Sequence, residues 1–310
     1  MNTRPAAAAT AASPSFLALA GTVVLWAAAF PAIRVGVAGL GVAALSLLRL
    51  AIAAAVLAAV APLTRVRIPS RRDLPLIALA GATGMTAYQV LLNWGEEHVA
   101  AGTSSLLVVS APVFSVLLAA VFLAEPVTRT IVAGSAVALA GCAVVALAGN
   151  RAGFSASAFA VLGAAAVQGT YHIAIKPLLR SYTGLEVATY AMVAGTVFAL
   201  PMIPAAAPAI AHARPGPIAA AVFLGLLPSA LGFVIWGHAV ARLPIAIATA
   251  ALYFVPPVTL LVAFVWLGEV PRPIALVGGA VAVLGVALIN RRPRRRPAAA
   301  PQLADAVRAD

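Results

Sequence analysis

Ionisable residues inside long apolar runs are the first chemical feature of this chain. Arg49 lies within the apolar run 42–62, His172 lies within 155–176, and Glu96 lies two residues after the run 74–94. A charged or titratable side chain in a lipid-spanning helix is costly, so it usually faces an interior cavity. There Arg49 would suit an anionic group such as a carboxylate. Snorkelling of its head group to the membrane interface is the alternative.

Glu96 and His172 each allow a second interpretation. Glu96 is followed by Glu97 at the turn between two apolar runs, so a solvated loop is the alternative to a site, and either glutamate is a candidate partner of Arg49. Asn93 precedes Glu96 by less than one helical turn, which favours Glu96 over Glu97. His172 suits a proton relay or a substrate ligand, or else a neutral buried histidine with a hydrogen-bonded neighbour.

Aromatic residues and prolines complete a predicted cavity. A proline that interrupts an apolar span loosens backbone that can line a binding cavity, although a simple kink is the alternative. Aromatic residues could pave the cavity or anchor helices at the membrane interface. The predicted helix breaks are Pro112, Pro256 and Pro257. The predicted substrate site comprises Trp26, Phe30, Arg49, Tyr88, Asn93, Glu96, His172, Trp236 and Tyr253.

Apolar spans must position all of these residues. The 310 residues are 63 % hydrophobic and 9 % charged, whereas a soluble domain is about half apolar and about a quarter charged. We therefore predict an all-α integral membrane protein. The first run has the alternative of a cleaved signal peptide. Ten predicted transmembrane helices cover 16–36, 42–62, 74–94, 99–122, 127–149, 155–176, 184–204, 217–237, 244–267 and 273–290.

Charge predicts the orientation of these spans. Of the 20 Lys and Arg residues, 15 fall on the side that carries both termini and four fall on the opposite side. Cytoplasmic flanks of membrane spans carry such an excess. We therefore expect both termini in the cytoplasm of a bacterium, with the chain in its inner membrane. The net charge of +12 follows these flanks, so nucleic acid is not an expected partner.

The chain repeats itself at an offset of 144 positions, which matches Glu125 with Glu269, Gly134 with Gly278, and Gly141 with Gly285. Five spans in each half predict two inverted repeats, a feature of transporters. Both glutamates are expected to start the helix that follows them. The glycine faces suit close helix packing, within the bundle or in a homodimer through spans five and ten. The expected units are a tail 1–15, repeats 16–149 and 155–290, and a basic tail 291–310.

Other functional classes lack their motifs. Cys142 is the only cysteine, so the sequence offers neither an internal disulfide nor a Cys/His metal cluster. Neither the H-E-x-x-H motif of zinc enzymes nor the G-x-x-x-x-G-K-[ST] motif of nucleotide binding occurs. We expect no metal, no cofactor and no enzymatic activity.

Two segments resemble one known family. Residues 93–125, NWGEEHVAAGTSSLLVVSAPVFSVLLAAVFLAE, resemble the first-half signature of EamA-type carriers in the drug/metabolite transporter superfamily. Residues 252–269, LYFVPPVTLLVAFVWLGE, resemble its second-half counterpart. The likeness extends over about 16–290 and implies ten helices in two inverted halves, alternating access and export of small metabolites. This chain departs from the common pattern at Glu96 and Glu97, where an apolar residue followed by a polar one is frequent.

The expected function is that of a secondary transporter that exports a small metabolite, such as an amino acid, by alternating access. Its expected partners are a small-molecule substrate and membrane lipid. A lipid flippase or a structural membrane subunit is the alternative. A lipid carrier should have a lateral groove, whereas a metabolite carrier needs an enclosed polar cavity.

Overall fold

The computed structural model describes residues 14–122, 128–148, 156–242 and 251–289, and within these ranges the chain is helical with no strand. The helices are α1 (Pro14–Val60), α2 (Leu74–Ala80), α3 (Tyr88–Glu96), α4 (Ala101–Val108), α5 (Ala111–Phe122), α6 (Arg129–Ala148), α7 (Ala156–Leu178), α8 (Gly184–Ala199), α9 (Ile203–Ala211), α10 (Pro215–Leu224), α11 (Gly232–Arg242), α12 (Val255–Leu267) and α13 (Pro273–Ile289). Short 3₁₀ turns are Arg71–Asp73, Leu200–Met202 and Leu252–Phe254, and π-helical segments are Gly81–Ala87 and Gly225–Leu231.

Apolar helices of membrane-spanning length dominate the described ranges. Five stretches there are long and apolar enough to cross a bilayer: Pro14–Val60, Arg71–Glu96, Ala156–Leu178, Gly184–Ala211 and Pro215–Arg242. Shorter apolar helices are Ala101–Ser115, Arg129–Val145, Leu252–Leu267 and Pro273–Leu288. This pattern is that of a multi-pass membrane protein.

Gly41 divides α1 into the first two predicted spans. Its φ of 70° and ψ of 174° are not helical, and glycine adopts a positive φ without steric cost. A Cβ on Gly36 would lie 2.7 Å from Leu45 Cδ1. Residues nine positions apart are separated by about 13 Å in a straight helix. Such a contact therefore requires that the chain bends sharply at Gly41.

A proline within α1 is accommodated by a hydrogen bond from another helix. Pro31 has no N–H to donate to the carbonyl oxygen of Ala27. The Thr259 hydroxyl of α12 donates to that oxygen at 3.3 Å, and Thr259 is fully buried. The link joins the first predicted repeat to the second beside the helix break described below.

Helices α6 and α13 pack against each other through their glycines. A Cβ on Gly141 would collide with the backbone of Ala282, and a Cβ on Gly285 would collide with the backbone of Ala138. Gly278 likewise contacts the Gly141 carbonyl. The contacts run in opposite directions along the two helices, so the pair is antiparallel. These glycine faces are occupied within one chain; the homodimer through spans five and ten stays a prediction and would use the other sides of both helices.

The two π-helical segments make matching contacts with the opposite halves of the chain. Gly81 begins one segment and Gly225 begins the other, 144 positions later. A Cβ on Gly81 would lie 2.6 Å from the Ala194 side chain, and one on Gly225 would lie 2.7 Å from Ile52 Cβ. Each π-bearing helix thus packs closely on a helix of the other half of the sequence.

A network around Arg67 lies at one end of the bundle. Its Nε and Nη2 donate to the Glu186 carboxylate at 2.7 and 2.9 Å, and Nη2 also donates to the Ser181 carbonyl at 2.6 Å. The hydrogen bond to Glu186 raises the pKa of Arg67. Tyr182 donates to Asp73 at 2.6 Å, and this bond raises the pKa of Tyr182. The connection after α1 is thereby held against the start of α8.

The opposite end of the bundle is joined by Arg34 and Glu269. Arg34 Nε lies 3.3 Å from Glu269 Oε1, and Arg34 Nη1 donates to the Glu96 carbonyl at 2.5 Å. Glu269 Oε2 accepts from the backbone N–H of Ala101 at 3.0 Å. Glu269 therefore caps α4 of the first half, rather than starting α13 as the sequence predicted. Glu125 lies outside the described residues.

Candidate functional site

A helix break between α4 and α5 supplies one wall of a central cavity. The α-helix ends at Val108 and resumes at Ala111, immediately before Pro112, whose ring cannot continue the hydrogen-bond ladder. The Ser110 hydroxyl donates to the Leu107 carbonyl at 2.7 Å and so satisfies part of the interrupted backbone. The break exposes backbone and small side chains to the space between the two halves.

A second break precedes α12. The 3₁₀ turn Leu252–Phe254 leads into Pro256 and Pro257 at the first turn of α12. Tyr253 and Val255 line the cavity from this turn. Pro256 is buried beside it without lining it, and Pro257 is exposed on the outer side of the helix.

The two breaks border a cavity of about 70 Å³. Its wall is mainly apolar, and its polar members are an arginine, a histidine, a glutamine, a serine, two tyrosines and the indole of a tryptophan. Such a small cavity with few polar groups suits a compact amphipathic molecule. The lining residues are Trp26, Ala29, Phe30, Ile33, Arg49, Tyr88, Leu92, Ser105, Val108, Val109, Ala111, Pro112, Gln168, His172, Phe233, Leu252, Tyr253 and Val255.

Arg49 is the cationic group in this wall. Only 3 % of its surface is exposed, and its Nε donates to the Ser229 hydroxyl at 2.9 Å. Its Nη1 is buried without a hydrogen-bond partner among the described residues. A buried guanidinium with an unused donor is a strong binding group for a carboxylate. The predicted pairing of Arg49 with a glutamate is not formed, since Glu97 is exposed and Glu96 makes no hydrogen bond to it.

His172 provides a second polar point on the wall. Its Nδ1 lies 3.1 Å from the Ser115 hydroxyl, which lies 3.0 Å from the Ala111 carbonyl as a donor. Because the Ser115 hydroxyl donates its hydrogen bond to the Ala111 carbonyl, its oxygen accepts a hydrogen bond from His172 Nδ1–H. The neutral ring then carries a lone pair on Nε2. His172 Nε2 is buried and has no partner within the described ranges. The ring can therefore accept one hydrogen bond from a ligand.

An aromatic cluster forms the floor of the cavity. The Trp26 ring lies 5.2 Å from Phe233 and 5.4 Å from Trp236, and its Nε1 donates to the Pro228 carbonyl at 3.2 Å. Gly232 is required here because a Cβ would lie 2.8 Å from Trp26 Nε1. Trp236 is fully buried behind Trp26 and His172 and does not line the cavity. The cluster offers flat apolar surface to a slim side chain.

Helix α3 carries a polar stripe next to the cavity. Tyr88 and Leu92 line the cavity, whereas Gln89, Asn93 and Glu96 are fully buried beside it. Asn93 Nδ2 donates to the Ser46 hydroxyl at 2.7 Å. The stripe extends from the cavity to the end of the bundle at which Arg34 contacts Glu269.

The structure brings most of the predicted site residues to one place. Trp26, Phe30, Arg49, Tyr88, Pro112, His172 and Tyr253 line the cavity, whereas Asn93, Glu96, Trp236, Pro256 and Pro257 do not. Gln168, Phe233 and Ile33 also line the cavity, although the predicted site did not contain them. Gln168 could have been included, because it lies one helical turn before His172, while the apolar members carry no sequence signal.

The described residues contain no group of three or more His, Cys, Asp or Glu side chains able to hold a metal.

Comparisons with known proteins identify the relatives of this chain. The model of the EamA-like transporter family matches residues 13–147 and again 155–291. A probable terminal-alkyne amino-acid exporter of Streptantibioticus cattleyicolor is 64 % identical over 291 residues, which cover 93 % of this chain and 98 % of the relative. The uncharacterized transporter YdfC of Bacillus subtilis is 34 % identical over 263 residues, which cover 84 % of this chain and 86 % of the relative. A crystal structure with 20 % identity has the same fold, with a TM-score of 0.60 over 89 % of this chain and 96 % of that one.

Proposed function

The chain belongs to the EamA-like transporter family, and we propose that it exports a small zwitterionic amino acid with a slim apolar side chain by alternating access. The relatives are transporters rather than enzymes. A membrane transporter of this family moves a small molecule between two aqueous sides, so the substrate site must lie within the bundle. The proposed site is the cavity lined by Arg49, the aromatic cluster and the two helix breaks.

The observation that carries the proposal is the unused donor of Arg49 above an apolar floor. A carboxylate that reaches Arg49 Nη1 would satisfy a buried group, which is worth more than a hydrogen bond in water. The side chain of the same molecule would then lie against Trp26, Phe30 and Phe233, where linear apolar groups fit between flat rings. The relative that shares 64 % of its residues is a probable exporter of terminal-alkyne amino acids, whose side chains have this shape.

We propose ten transmembrane helices in two inverted repeats, 16–149 and 155–290. Support comes from the reciprocal contacts Gly141–Ala282 and Ala138–Gly285, which exchange with each other when the two halves are swapped by the offset of 144. A two-fold axis that exchanges antiparallel helices is perpendicular to them, and therefore lies in the membrane plane if they span it. The family matches fall on the same two ranges.

We propose that the protein lies in the bacterial inner membrane with both termini in the cytoplasm. The reason is that Lys and Arg residues are concentrated in the connections and tails on the side that carries the termini. Reporter fusions at Asn150 and at the C-terminus should then report opposite sides of the membrane. The same side for both fusions would contradict five spans in each half.

A lipid flippase is the less favoured class. A cavity of about 70 Å³ with a buried cation fits a small ionic molecule, whereas a lipid needs a path that is open to the bilayer along its length. The family and the relatives also favour metabolite export.

Uptake by proteoliposomes loaded with unlabelled amino acid tests the proposal. We expect saturable counterflow of labelled L-propargylglycine, an amino acid with a terminal alkyne. L-norvaline, its saturated analogue, should compete more weakly, and L-lysine and L-glutamate should not compete, because the apolar floor cannot hold a second charge. Translocation of a fluorescent phospholipid without amino-acid counterflow would contradict the proposed function.

A further inference from the structure

The Glu96 carboxylate is an unexplained buried acid. Glu96 is fully buried, and neither of its carboxylate oxygens has a hydrogen-bond partner among the described residues. On the same stripe of α3, both polar atoms of Gln89 and the Oδ1 of Asn93 are also buried without partners. Buried polar groups are bonded in the great majority of cases. A run of such atoms on one helix face therefore indicates a site that a proton or a ligand occupies reversibly.

Neighbouring charges do not neutralise Glu96 through contact. Arg34 and Arg49 of α1 and Glu269 before α13 act on it electrostatically, as does Tyr88 on its own helix. The Arg34 guanidinium forms an ion pair with Glu269 and donates to the backbone carbonyl of Glu96. Arg49 donates to the Ser229 hydroxyl. An ionised carboxylate left in this position without a bonded partner is costly.

The other helices packed near this end add no competing group. Helix α4 has no titratable side chain. Helix α7 approaches through Ser157 and Val161, which contact Gly95, whereas its own titratable residues Tyr171, His172 and Lys176 lie toward its other end. Glu96 is thus the one acid in the described residues that is both fully buried and close to the cavity arginine.

We propose that Glu96 is a shared binding site for a proton and for the ammonium group of the substrate, occupied by one or the other. This inference rests on the proposed function and adds its energy coupling. Leu92, one turn before Glu96, lines the cavity, and Arg49 lies in the same wall. Glu96 does not line the cavity but is buried beside it, so the ammonium of a zwitterion held at Arg49 would reach Glu96 along the polar stripe of α3.

Competition for one carboxylate makes the exporter a proton antiporter. With the cavity empty of substrate, a proton occupies a carboxylate oxygen of Glu96 as the neutral acid. Binding of the zwitterion from the cytoplasm displaces that proton to the cytoplasm, because the ammonium takes its place beside the carboxylate. Release of the substrate outside lets an external proton rebind. Each cycle exports one neutral zwitterion and imports one proton, so the inside-negative membrane potential also drives it.

Proton release from the purified full-length protein tests the assignment. Addition of L-propargylglycine in weak buffer at mildly acidic pH should release about one proton per bound molecule from the wild type, since by linkage a competing ligand expels what it replaces. Glu96→Gln should bind L-propargylglycine about tenfold more weakly and release no proton. Glu97→Gln is the matched control, because the same change is made one residue along at an exposed position, and it should behave as wild type.

A ligand variant tests the same idea without changing the protein. N-acetyl-L-propargylglycine lacks the ammonium group, so it should bind weakly to the wild type and release no proton. Equal proton release by this ligand, or release that persists in Glu96→Gln, would overturn the assignment of Glu96. Binding of L-propargylglycine without any proton release would also overturn it and leave the proposed function intact. Absence of amino-acid binding by the wild type would instead contradict the proposed function, and this inference with it.

Discussion

Arg67 and Arg49 differ in how their guanidinium groups are bonded, and this difference separates a structural arginine from a candidate binding residue. Arg67 gives its guanidinium to a carboxylate and a backbone carbonyl, and its own carbonyl accepts from the Tyr190 hydroxyl at 2.6 Å. Arg49 is much more deeply buried, yet its Nε donates to the neutral Ser229 hydroxyl and its Nη1 has no partner in the described part of the chain.

The difference shows which arginine is available to a ligand. The Glu186 carboxylate that holds Arg67 is also bound by the Thr183 N–H at 2.8 Å in a capping box, so removing either partner disrupts the start of α8. A satisfied network of this kind stabilises one arrangement. Among the described residues, Arg49 has no counter-charge in hydrogen-bond contact, which is costly for folding and becomes favourable when an anion binds.

The largest expected effect is on the cavity arginine. Arg49→Met should weaken binding of L-propargylglycine by about 30-fold or more, because loss of a buried charged partner costs about 2 kcal/mol or more. Detergent-solubilised protein should still elute as a folded species, since methionine fills the space without a charge. Titration calorimetry checks the affinity. Arg71→Met, an exposed arginine, is the control, and equal affinity in the two variants would remove Arg49 from the site.

The surface arginine should show the reverse pattern. Arg67→Met leaves the buried Glu186 carboxylate without its main partner, so the Tm should fall clearly below that of Arg71→Met. The affinity for L-propargylglycine should stay within about twofold of wild type, because the Arg67 network is remote from the cavity. A large loss of affinity with an unchanged Tm would reverse the comparison between the two arginines.

A smaller effect is expected at the second unpartnered atom of the cavity wall. His172→Phe removes the Nε2 acceptor while keeping a ring of similar size. In the early part of each half the repeat offset is 142 positions, which matches His172 with Phe30 of the first half. We expect affinity to fall by about threefold to tenfold, the value of one hydrogen bond. Proton release on binding should persist, since it is assigned to Glu96. A flattened pH dependence of transport in His172→Phe would assign the coupling to His172 instead.

The elements of this fold follow from features that act locally in the sequence. Apolar length predicts the helices, Pro112 predicts the interruption of a helix, and matched glycines such as Gly141 and Gly285 predict close packing. The burial of Arg49 follows from its position within an apolar run, because a charge there has few places to go.

Contacts between distant residues could not be predicted in this way. Ser229 lies 180 positions from Arg49, and no periodicity links a serine in one helix to an arginine in another. Glu269 caps a helix of the other half because the two halves interlock, which is a property of the tertiary arrangement. Trp236 resembles a cavity residue in sequence, yet it contacts the rings of Trp26 and His172 without lining the cavity itself.

The affinity of the carboxylate for Arg49 is the most direct test of this account. Binding of L-propargylglycine and of its carboxamide, which lacks the negative charge, should be measured by calorimetry in wild type and in Arg49→Met. We expect the wild type to prefer the acid by about 30-fold and Arg49→Met to bind the two ligands equally, so that the preference disappears with the guanidinium. An undiminished preference for the acid in Arg49→Met would contradict the account, because another group would then bind the carboxylate.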